Sequence, residues 1–167
     1  MRLAISGTPG CGKTLCAKHL ARRGYTTASL EDILRKKGIG KKDRSGCLVV
    51  DPRSLRVLEV DAEIVEGHLS HFLPVECVVI LRCHPRTLEK RLKKKGYDKA
   101  KIRENLEAEA LDVIVIETLQ EGKTPYQIDT TMMTPEGVAD SVEKIIKGKG
   151  NGFRTHIDFS EAVLEWY

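Results

Sequence analysis

The sequence is poor in aromatic residues and has no long apolar run. Phe, Trp and Tyr together make up 5% of its 167 residues, which argues against a stacking surface for single-stranded nucleic acid. No apolar run approaches the roughly 20 residues of a membrane span, so we expect no membrane partner. We also expect no secretory signal, because the N-terminus leads directly into a short apolar strand.

Cysteine is sparse and irregularly placed. The five cysteines stand at positions 11, 16, 47, 77 and 83, without a C-x-x-C pair. This spacing argues against a zinc site or a disulfide framework, and it predicts reduced thiols in a cytoplasmic protein. The net charge of +4 is mild, and either anionic nucleotides or RNA would account for it.

The most informative segment that is present lies near the N-terminus. Gly7-Thr8-Pro9-Gly10-Cys11-Gly12-Lys13-Thr14 fits the phosphate-binding pattern G-x-x-x-x-G-K-[ST]. An apolar run precedes it and a helical pattern follows, which is the strand–loop–helix context that the motif requires. Without that context, the segment would be a plain glycine-rich turn.

This phosphate-binding loop (P-loop) assigns roles to individual residues. Its glycines let backbone N–H groups converge on phosphate oxygens, and the helix that follows adds the positive end of its dipole. Lys13 is expected to reach the β- and γ-phosphates, and Thr14 to hold Mg²⁺. The predicted ATP-binding residues in this segment are Gly10, Cys11, Gly12, Lys13, Thr14 and Leu15.

Apolar runs alternate with helical patterns along the rest of the chain, which predicts an α/β fold with parallel strands. A basic, glycine-punctuated loop is expected at 38–46, and a short helix from Ser160. The predicted strands are Leu3–Ser6, Tyr25–Ala28, 48–50, Ala62–Glu66, Glu76–Arg82 and Tyr126–Asp129. The predicted helices are Lys13–Arg23, Ser29 to about Gly38, Pro85–Lys95, Asp98–Gln120 and Thr134 to about Lys147.

An acid ends one of the apolar strands. A P-loop enzyme needs an acidic group there to orient Mg²⁺ through its water shell, so Glu66 is the candidate; the alternative is a solvated carboxylate. His68 follows two residues later. It is a candidate for positioning a water or phosphate oxygen, or for proton transfer, and the alternative is an ordinary loop histidine.

Two further features carry charge. Asp32 and Arg35 share one face of a predicted helix; Arg35 would bind the phosphate of a second nucleotide, or the two residues form a surface ion pair. A strongly basic stretch flanks Gly96-Tyr97 and is interpreted as a lid over the transferring phosphoryl group, as an RNA contact, or as a solvated helix face. Its members are Lys90, Arg91, Lys93, Lys94, Lys95, Lys99, Lys101 and Arg103.

Taken in order, these motifs resemble the adenylate kinase superfamily, and most closely its small, short-lid branch, adenylate kinase isoenzyme 6. The P-loop is similar to the G-T-P-G-x-G-K-T loop of that branch, and Glu66-Gly67-His68 to its D-x-H motif, with Glu for Asp. Four further segments resemble the lid region of that branch and occur in the same order. They are Leu81-Arg82, 88–92, Gly96-Tyr97 and 104–109. The resemblance covers roughly residues 1–148.

The resemblance implies a P-loop NTPase fold in three layers, with a five-stranded parallel sheet flanked by helices and a short lid. It implies one domain over 1–150, with a segment binding the nucleoside monophosphate at about 28–51, a lid at about 94–104, and a tail over 151–167 of unassigned role. It also implies Mg²⁺-dependent transfer of a phosphoryl group from ATP to AMP, giving ADP. Lys13, Glu66 and His68 would be catalytic.

The same resemblance assigns further ligands. Thr14 and Glu66 would hold the metal, Arg91 and Lys95 would bind ATP, with Arg103 a further candidate phosphate clamp, and Asp32 and Arg35 would bind AMP. The chain departs from the usual pattern in having Leu69-Ser70 where an arginine contacts the monophosphate, and Lys95 where an arginine often precedes Gly-Tyr.

The family is also credited with ATPase activity and a role in small ribosomal subunit maturation. An alternative function is therefore an ATP-driven assembly factor that binds a small-subunit ribosomal protein and pre-ribosomal RNA through the basic loop 38–44 and the lid lysines. A third is another small-molecule kinase, of shikimate or nucleoside type.

Overall fold

The computed structural model describes residues 1–166, and Tyr167, the last residue of the predicted tail, lies outside them. The strands are β1 Leu3–Ser6, β2 Thr27–Ser29, β3 Lys41–Lys42, β4 Leu48–Val49, β5 Ile64–Glu66, β6 Cys77–Arg82 and β7 Tyr126–Asp129. The helices are α1 Lys13–Arg22, α2 Leu30–Lys37, α3 Pro52–Arg56, α4 Pro85–Lys94, α5 Lys99–Ala110, α6 Val113–Gln120 and α7 Pro135–Ile146.

The main sheet has five parallel strands in the order β2-β5-β1-β6-β7, which confirms the predicted fold class. Successive side chains of β1 point to opposite faces. Leu3 and Ile5 pack into the larger core with the buried residues of α1 and α7, while Ala4 packs with Val115 of α6. The sheet is therefore the middle of three layers, and the carboxyl ends of β1, β5 and β6 meet at one edge.

Helix starts follow the capping chemistry that the sequence indicates. Ser29 caps α2, with its Oγ accepting a hydrogen bond from the Asp32 N–H, and Thr134 caps α7 in the same way through the Gly137 N–H. Pro85 and Pro135 occupy first-turn positions, where the missing N–H costs no intrahelical bond. These caps fix where α2 and α7 begin beside the sheet edge.

The predicted helix Asp98–Gln120 is wrong, because the structure has two helices there. α5 ends at Ala110, and Asp112 adopts a left-handed conformation with φ of 56°. A non-glycine residue seldom adopts this conformation. The Asp112 carboxylate is held by the Arg82 guanidinium at 2.6 Å, a long-range contact that helical periodicity does not reveal.

Smaller differences concern the segment after β2. The strand predicted at Tyr25–Ala28 begins two residues later, at Thr27. The strand predicted at 48–50 pairs with Lys41–Lys42 in a separate antiparallel hairpin, and Lys41–Lys42 lies within the segment predicted as a loop. Asp51-Pro52 begins the short helix α3, which the sequence analysis did not predict. The tail forms a 3-10 helix at Asn151–Phe153 and another at Ser160–Trp166, and the latter agrees with the helix expected from Ser160.

No helix within residues 1–166 combines the length and the apolar character needed to cross a lipid bilayer.

Candidate active site

The P-loop joins β1 to α1 at the carboxyl edge of the sheet. Gly7, Gly10 and Gly12 have φ of 149°, 93° and 97°, a region that favours glycine. A Cβ at Gly7 would lie 2.6 Å from the Leu81 carbonyl oxygen, so only glycine fits between β1 and β6. The loop curls around the Lys13 amine, which donates to the carbonyl oxygens of Gly7 at 2.7 Å and Thr8 at 3.1 Å.

A cavity of about 1140 Å³ opens above the P-loop. Single ligand sites commonly have volumes of about 300–1000 Å³, so this cavity is slightly larger than most such sites. The predicted site residues among its lining are Gly10, Cys11, Gly12, Lys13, Thr14, Leu15, Glu66, His68, Arg91 and Lys95. The lining also includes Leu30, Glu31 and Leu34 of α2 and residues 46–50 of the hairpin.

Glu66 ends β5 and lies opposite the first turn of α1. Its Oε1 accepts a hydrogen bond from Thr14 Oγ1 at 3.4 Å, and the residue is buried. Burial raises the pKa of the Glu66 carboxyl, against the effect of the Lys13 cation and the Thr14 hydrogen bond, which lower it. The structure therefore brings together the hydroxyl and the carboxylate that were predicted to hold a metal.

The donor chemistry of this pair fits Mg²⁺, which prefers oxygen ligands and is usually held by one or two protein groups together with substrate phosphates and water. Within residues 1–166, no group of three or more His, Cys, Asp or Glu side chains is arranged to hold a metal ion.

His68 lies beyond β5 and is open to the cavity. Its protein surroundings lower the pKa of His68 to about 4 by removing water, and the nearby cations of Lys13 and Lys101 lower it further. The imidazole is therefore neutral at pH 7, with one ring N–H that can donate and one nitrogen that can accept.

Burial likewise lowers the pKa of Lys13 and raises that of the Cys11 thiol, so Cys11 is an unreactive part of the loop.

Arg91 on α4 spans the edge of the sheet. Its guanidinium donates to the carbonyl oxygens of Gly10 at 3.2 Å and Thr130 at 3.1 Å. Lys95 follows at the end of α4, and Lys101 at the start of α5 also lines the cavity. The basic stretch therefore contributes Arg91, Lys94, Lys95 and Lys101 to the cavity, whereas Arg103 pairs with Glu107 at 2.6 Å.

Asp32 and Arg35 are not among the lining residues. Arg35 pairs with Glu31 at 2.8 Å and with Asp32 at 3.6 Å, and all three side chains are largely exposed. The same helix presents Leu30 and Leu34 to the cavity and buries both. The two predicted AMP-binding residues thus lie on the outer face of α2, beside the cavity and not inside it.

Sequence reasoning did not single out Thr8 and Glu109 as partners. Thr8 Oγ1 donates to Glu109 Oε2 at 2.6 Å, and both residues are buried. They stand 101 positions apart, so no local pattern reveals the pair. The sequence signal for Glu109 is its place in 104–109, one of the segments that resemble the short-lid branch, and that resemblance does not point to Thr8.

Comparisons with known proteins agree with this architecture. Residues 3–112 match the family model described as AAA domain. A shikimate kinase from Acinetobacter baumannii superposes with a TM-score of 0.63 at 18% identity, covering 90% of this chain and 94% of that one. A sugar kinase from Janibacter sp. HTCC2649 gives a TM-score of 0.57 at 17% identity, covering 93% and 98%. At these identities, the likeness concerns the fold alone.

Curated relatives are closer in sequence. The protein named "Putative adenylate kinase" from Archaeoglobus fulgidus is 44% identical over 149 residues, which cover 89% of this chain and 83% of the relative. The protein of the same name from Pyrococcus abyssi is 40% identical over 170 residues, covering 99% and 94%. With this similarity over nearly its whole length, the chain belongs to the P-loop family of these archaeal proteins, as its resemblance to the short-lid adenylate kinases predicted.

Proposed function

We propose that this protein is a Mg²⁺-dependent adenylate kinase that transfers the γ-phosphoryl group of ATP to AMP, giving two molecules of ADP. The observation that carries the proposal is one cavity of about 1140 Å³ whose lining includes the P-loop, residues of α2 and of the hairpin, and the side chains of Lys13, Glu66 and His68. The names of the archaeal relatives support the same activity.

Each group has a role in this reaction. The P-loop amides and Lys13 bind the ATP phosphates, and Lys13 faces the charge that spreads over the transferring oxygens. Mg²⁺, when bound beside Thr14 and Glu66, would neutralise phosphate charge. Neutral His68 donates its ring N–H to a phosphate oxygen at the reaction centre. Glu66 orients water, and its burial places this carboxylate where charge–dipole interactions are strong.

The remaining predicted ligands surround these groups. We propose that Arg91 and Lys95 clamp the ATP phosphates when the lid at about 94–104 closes, and that closure excludes water as a competing acceptor. We assign the AMP side to the segment at about 28–51, where Asp32 and Arg35 are the proposed AMP ligands and Arg35 leaves its acidic partners on α2 to bind the monophosphate from beside the cavity. The five free thiols suit a reducing compartment, so we propose that the protein acts in the cytoplasm.

A second function would use the same site for ATP hydrolysis during small-subunit ribosomal RNA maturation. The hairpin residues Lys41, Lys42 and Arg44 and the lysines at 93–95 are exposed, and two of these lysines, Lys94 and Lys95, also line the cavity. Such exposed cations suit phosphate backbones or acidic protein segments. We propose this as an additional role with a small-subunit ribosomal protein and pre-ribosomal RNA as partners.

ADP formation, measured with and without AMP, tests the proposal and separates the two functions. We expect ADP formation to depend on AMP and on Mg²⁺, and we expect the bisubstrate analogue di(adenosine) pentaphosphate to bind one molecule per chain by calorimetry. The Lys13→Ala variant, prepared in the same way, controls for a contaminating kinase. ADP formation that is wholly independent of AMP would contradict the kinase function, and a labelled-ATP screen of other acceptors, shikimate included, would then identify the substrate.

A further inference from the structure

A buried charge cluster lies behind the P-loop, outside the cavity. Arg82 at the end of β6 and Glu109 at the end of α5 are 1% and 3% exposed. All five N–H donors of the Arg82 guanidinium have a partner. They bind Glu109 Oε1 at 2.8 Å, the Glu109 carbonyl at 2.9 Å, Asp112 Oδ1 at 2.6 Å, Gln127 Oε1 at 2.8 Å and the Ile157 carbonyl at 2.9 Å.

In this arrangement, one carboxylate oxygen of Glu109 binds to the P-loop. Its Oε1 accepts from Arg82 and from the Cys83 N–H at 3.0 Å. Its Oε2 accepts from Thr8 Oγ1 at 2.6 Å, a length typical of a charge-assisted hydroxyl–carboxylate bond. Since Arg82 has no donor left for Oε2, the hydroxyl of Thr8 is the group that satisfies it.

Thr8 in turn shapes the part of the loop that holds Lys13. The Thr8 carbonyl accepts from the Lys13 amine at 3.1 Å and from the Cys11 N–H at 3.2 Å. A shift of Thr8 would therefore move both the turn and the lysine amine. The contacts form a continuous path from Glu109 through Thr8 to Lys13.

The same path connects the P-loop to the lid. Glu109 stands on the last turn of α5, and the first turn of that helix carries Lys101, which lines the cavity. Asp112 adopts a left-handed conformation just after the end of α5, and its carboxylate forms an ion pair with Arg82. The cluster thus fixes the C-terminal end of α5 relative to the P-loop.

We propose that Glu109 is a positioning residue for phosphoryl transfer. It acts through the Thr8 hydroxyl and holds Lys13 and the P-loop in a fixed position relative to α5. This inference rests on the proposed kinase function for its kinetic readout. It predicts that the Thr8–Glu109 bond affects the transfer step more than it affects substrate binding, because Lys13 faces the charge that develops in the transition state.

Thr8→Val tests the bond with little change of shape, since it replaces only the hydroxyl. We expect kcat to fall about 10-fold, because sub-ångström misplacement of a catalytic group is costly, while the KM for AMP stays within about twofold. Thr8→Ser should restore kcat. The matched control is Thr118→Val, which removes another buried hydroxyl, one that donates within α6 to the Ile114 carbonyl at 2.7 Å.

Glu109→Gln keeps the size of the side chain and provides the second arm of a double-mutant cycle. We expect the Thr8→Val/Glu109→Gln enzyme to be no slower than the slower single variant. Wild-type kcat in Thr8→Val would overturn the proposal. So would a loss that Thr8→Ser fails to rescue, an equal loss in Thr118→Val, or single effects that multiply in the double variant.

Hydrogen exchange of the amides in 7–14 separates this inference from the kinase function. If the wild type shows no AMP-dependent ADP formation, the proposed function fails, and the exchange result decides the inference alone. Faster exchange of these amides in Thr8→Val but not in Thr118→Val supports the positioning role, and unchanged exchange overturns it.

Discussion

The hydroxyl of Thr14 donates a hydrogen bond to the carboxylate of Glu66 across 3.4 Å, from the first turn of α1 to the end of β5. β1 precedes α1 in the chain, is joined to it by the P-loop, and pairs with β5 so that Ile5 is opposite Glu66. The parallel register of two neighbouring strands thus determines that these oxygens meet. The contact forms the protein side of the proposed magnesium site.

Glu66→Gln is expected to lower kcat about 10- to 100-fold, which is typical when a group that orients a metal or its water is altered. The amide retains an oxygen for Thr14 but loses the charge, so the variant should also need more Mg²⁺ for half-maximal activity. A Mg²⁺ titration of ADP formation measures both effects. Glu59→Gln, an exposed position, is the control, and an unchanged Mg²⁺ dependence in Glu66→Gln would contradict the assignment.

Lys13→Ala is expected to slow phosphoryl transfer by about 10²–10³-fold or more, the range for removing one preorganised donor at developing negative charge. The fold should persist, because the lysine amine contacts only carbonyl oxygens of its own loop. Initial rates and far-UV circular dichroism check the two expectations. Lys18→Ala on the exposed face of the same helix is the control, and wild-type activity in Lys13→Ala would show that ATP binds elsewhere.

The sequence predicted the main sheet and the strand–loop–helix position of the P-loop, because both depend on local patterns. The strand–loop–helix motif fixes Lys13 and Thr14 within eight residues, and buried strands such as β6 are continuous apolar runs. The parts that it did not predict depend on contacts between distant residues. Asp112 interrupts the helix because Arg82, 30 positions away, binds its carboxylate. Thr8 contacts Glu109 because the end of α5 packs beside the P-loop.

His68 is expected to respond to phosphate charge. In the free protein its pKa is about 4, so its ring resonances should not titrate between pH 5 and 8. A non-hydrolysable ATP analogue with AMP adds negative charge nearby, which favours the protonated ring and raises its pKa. Nuclear magnetic resonance of the histidine ring protons measures this shift, and the His68→Ala spectrum identifies the resonance among the five histidines.

The His68→Ala variant also supports a kinetic check. It should impair turnover more than ATP binding, because we propose that the ring contacts the transferring phosphoryl group and that the P-loop holds the rest of the ATP phosphates. A loss of ATP affinity with unchanged kcat, or a His68 resonance that ignores the analogue, would contradict the proposed role.

Arg35→Ala tests the predicted AMP side. If Arg35 leaves Glu31 and Asp32 to bind the monophosphate, the variant should raise the KM for AMP about 10-fold, as expected for a lost charge-assisted contact, with the KM for ATP unchanged. Steady-state kinetics with each substrate varied in turn measure the two constants. Arg53→Ala, which removes another exposed arginine paired with a neighbouring acid, is the control. Equal KM values for AMP in both variants would show that Arg35 does not bind the monophosphate and that residues of the cavity lining bind it instead.

His71 is expected to make the protein sensitive to acid. Its ring is fully buried, 2.9 Å from Ser6 Oγ and 2.9 Å from Glu117 Oε2. Burial lowers the pKa of His71 to about 4, with further lowering by Lys123 and His68 and a small opposing effect of Glu121. In the unfolded chain a histidine has a pKa of about 6.5, so the unfolded state binds more protons between these two values.

Stability should therefore be greatest above pH 6.5 and decrease as the pH falls toward 4, by up to about 3 kcal/mol for a shift of this size. Burial raises the pKa of Glu117, and its protonation in the same range offsets part of the loss. Urea unfolding at several pH values between 7 and 4.5 measures the slope, and His71→Gln, which cannot titrate, should flatten it. An identical slope in the variant would show that His71 is not the group responsible.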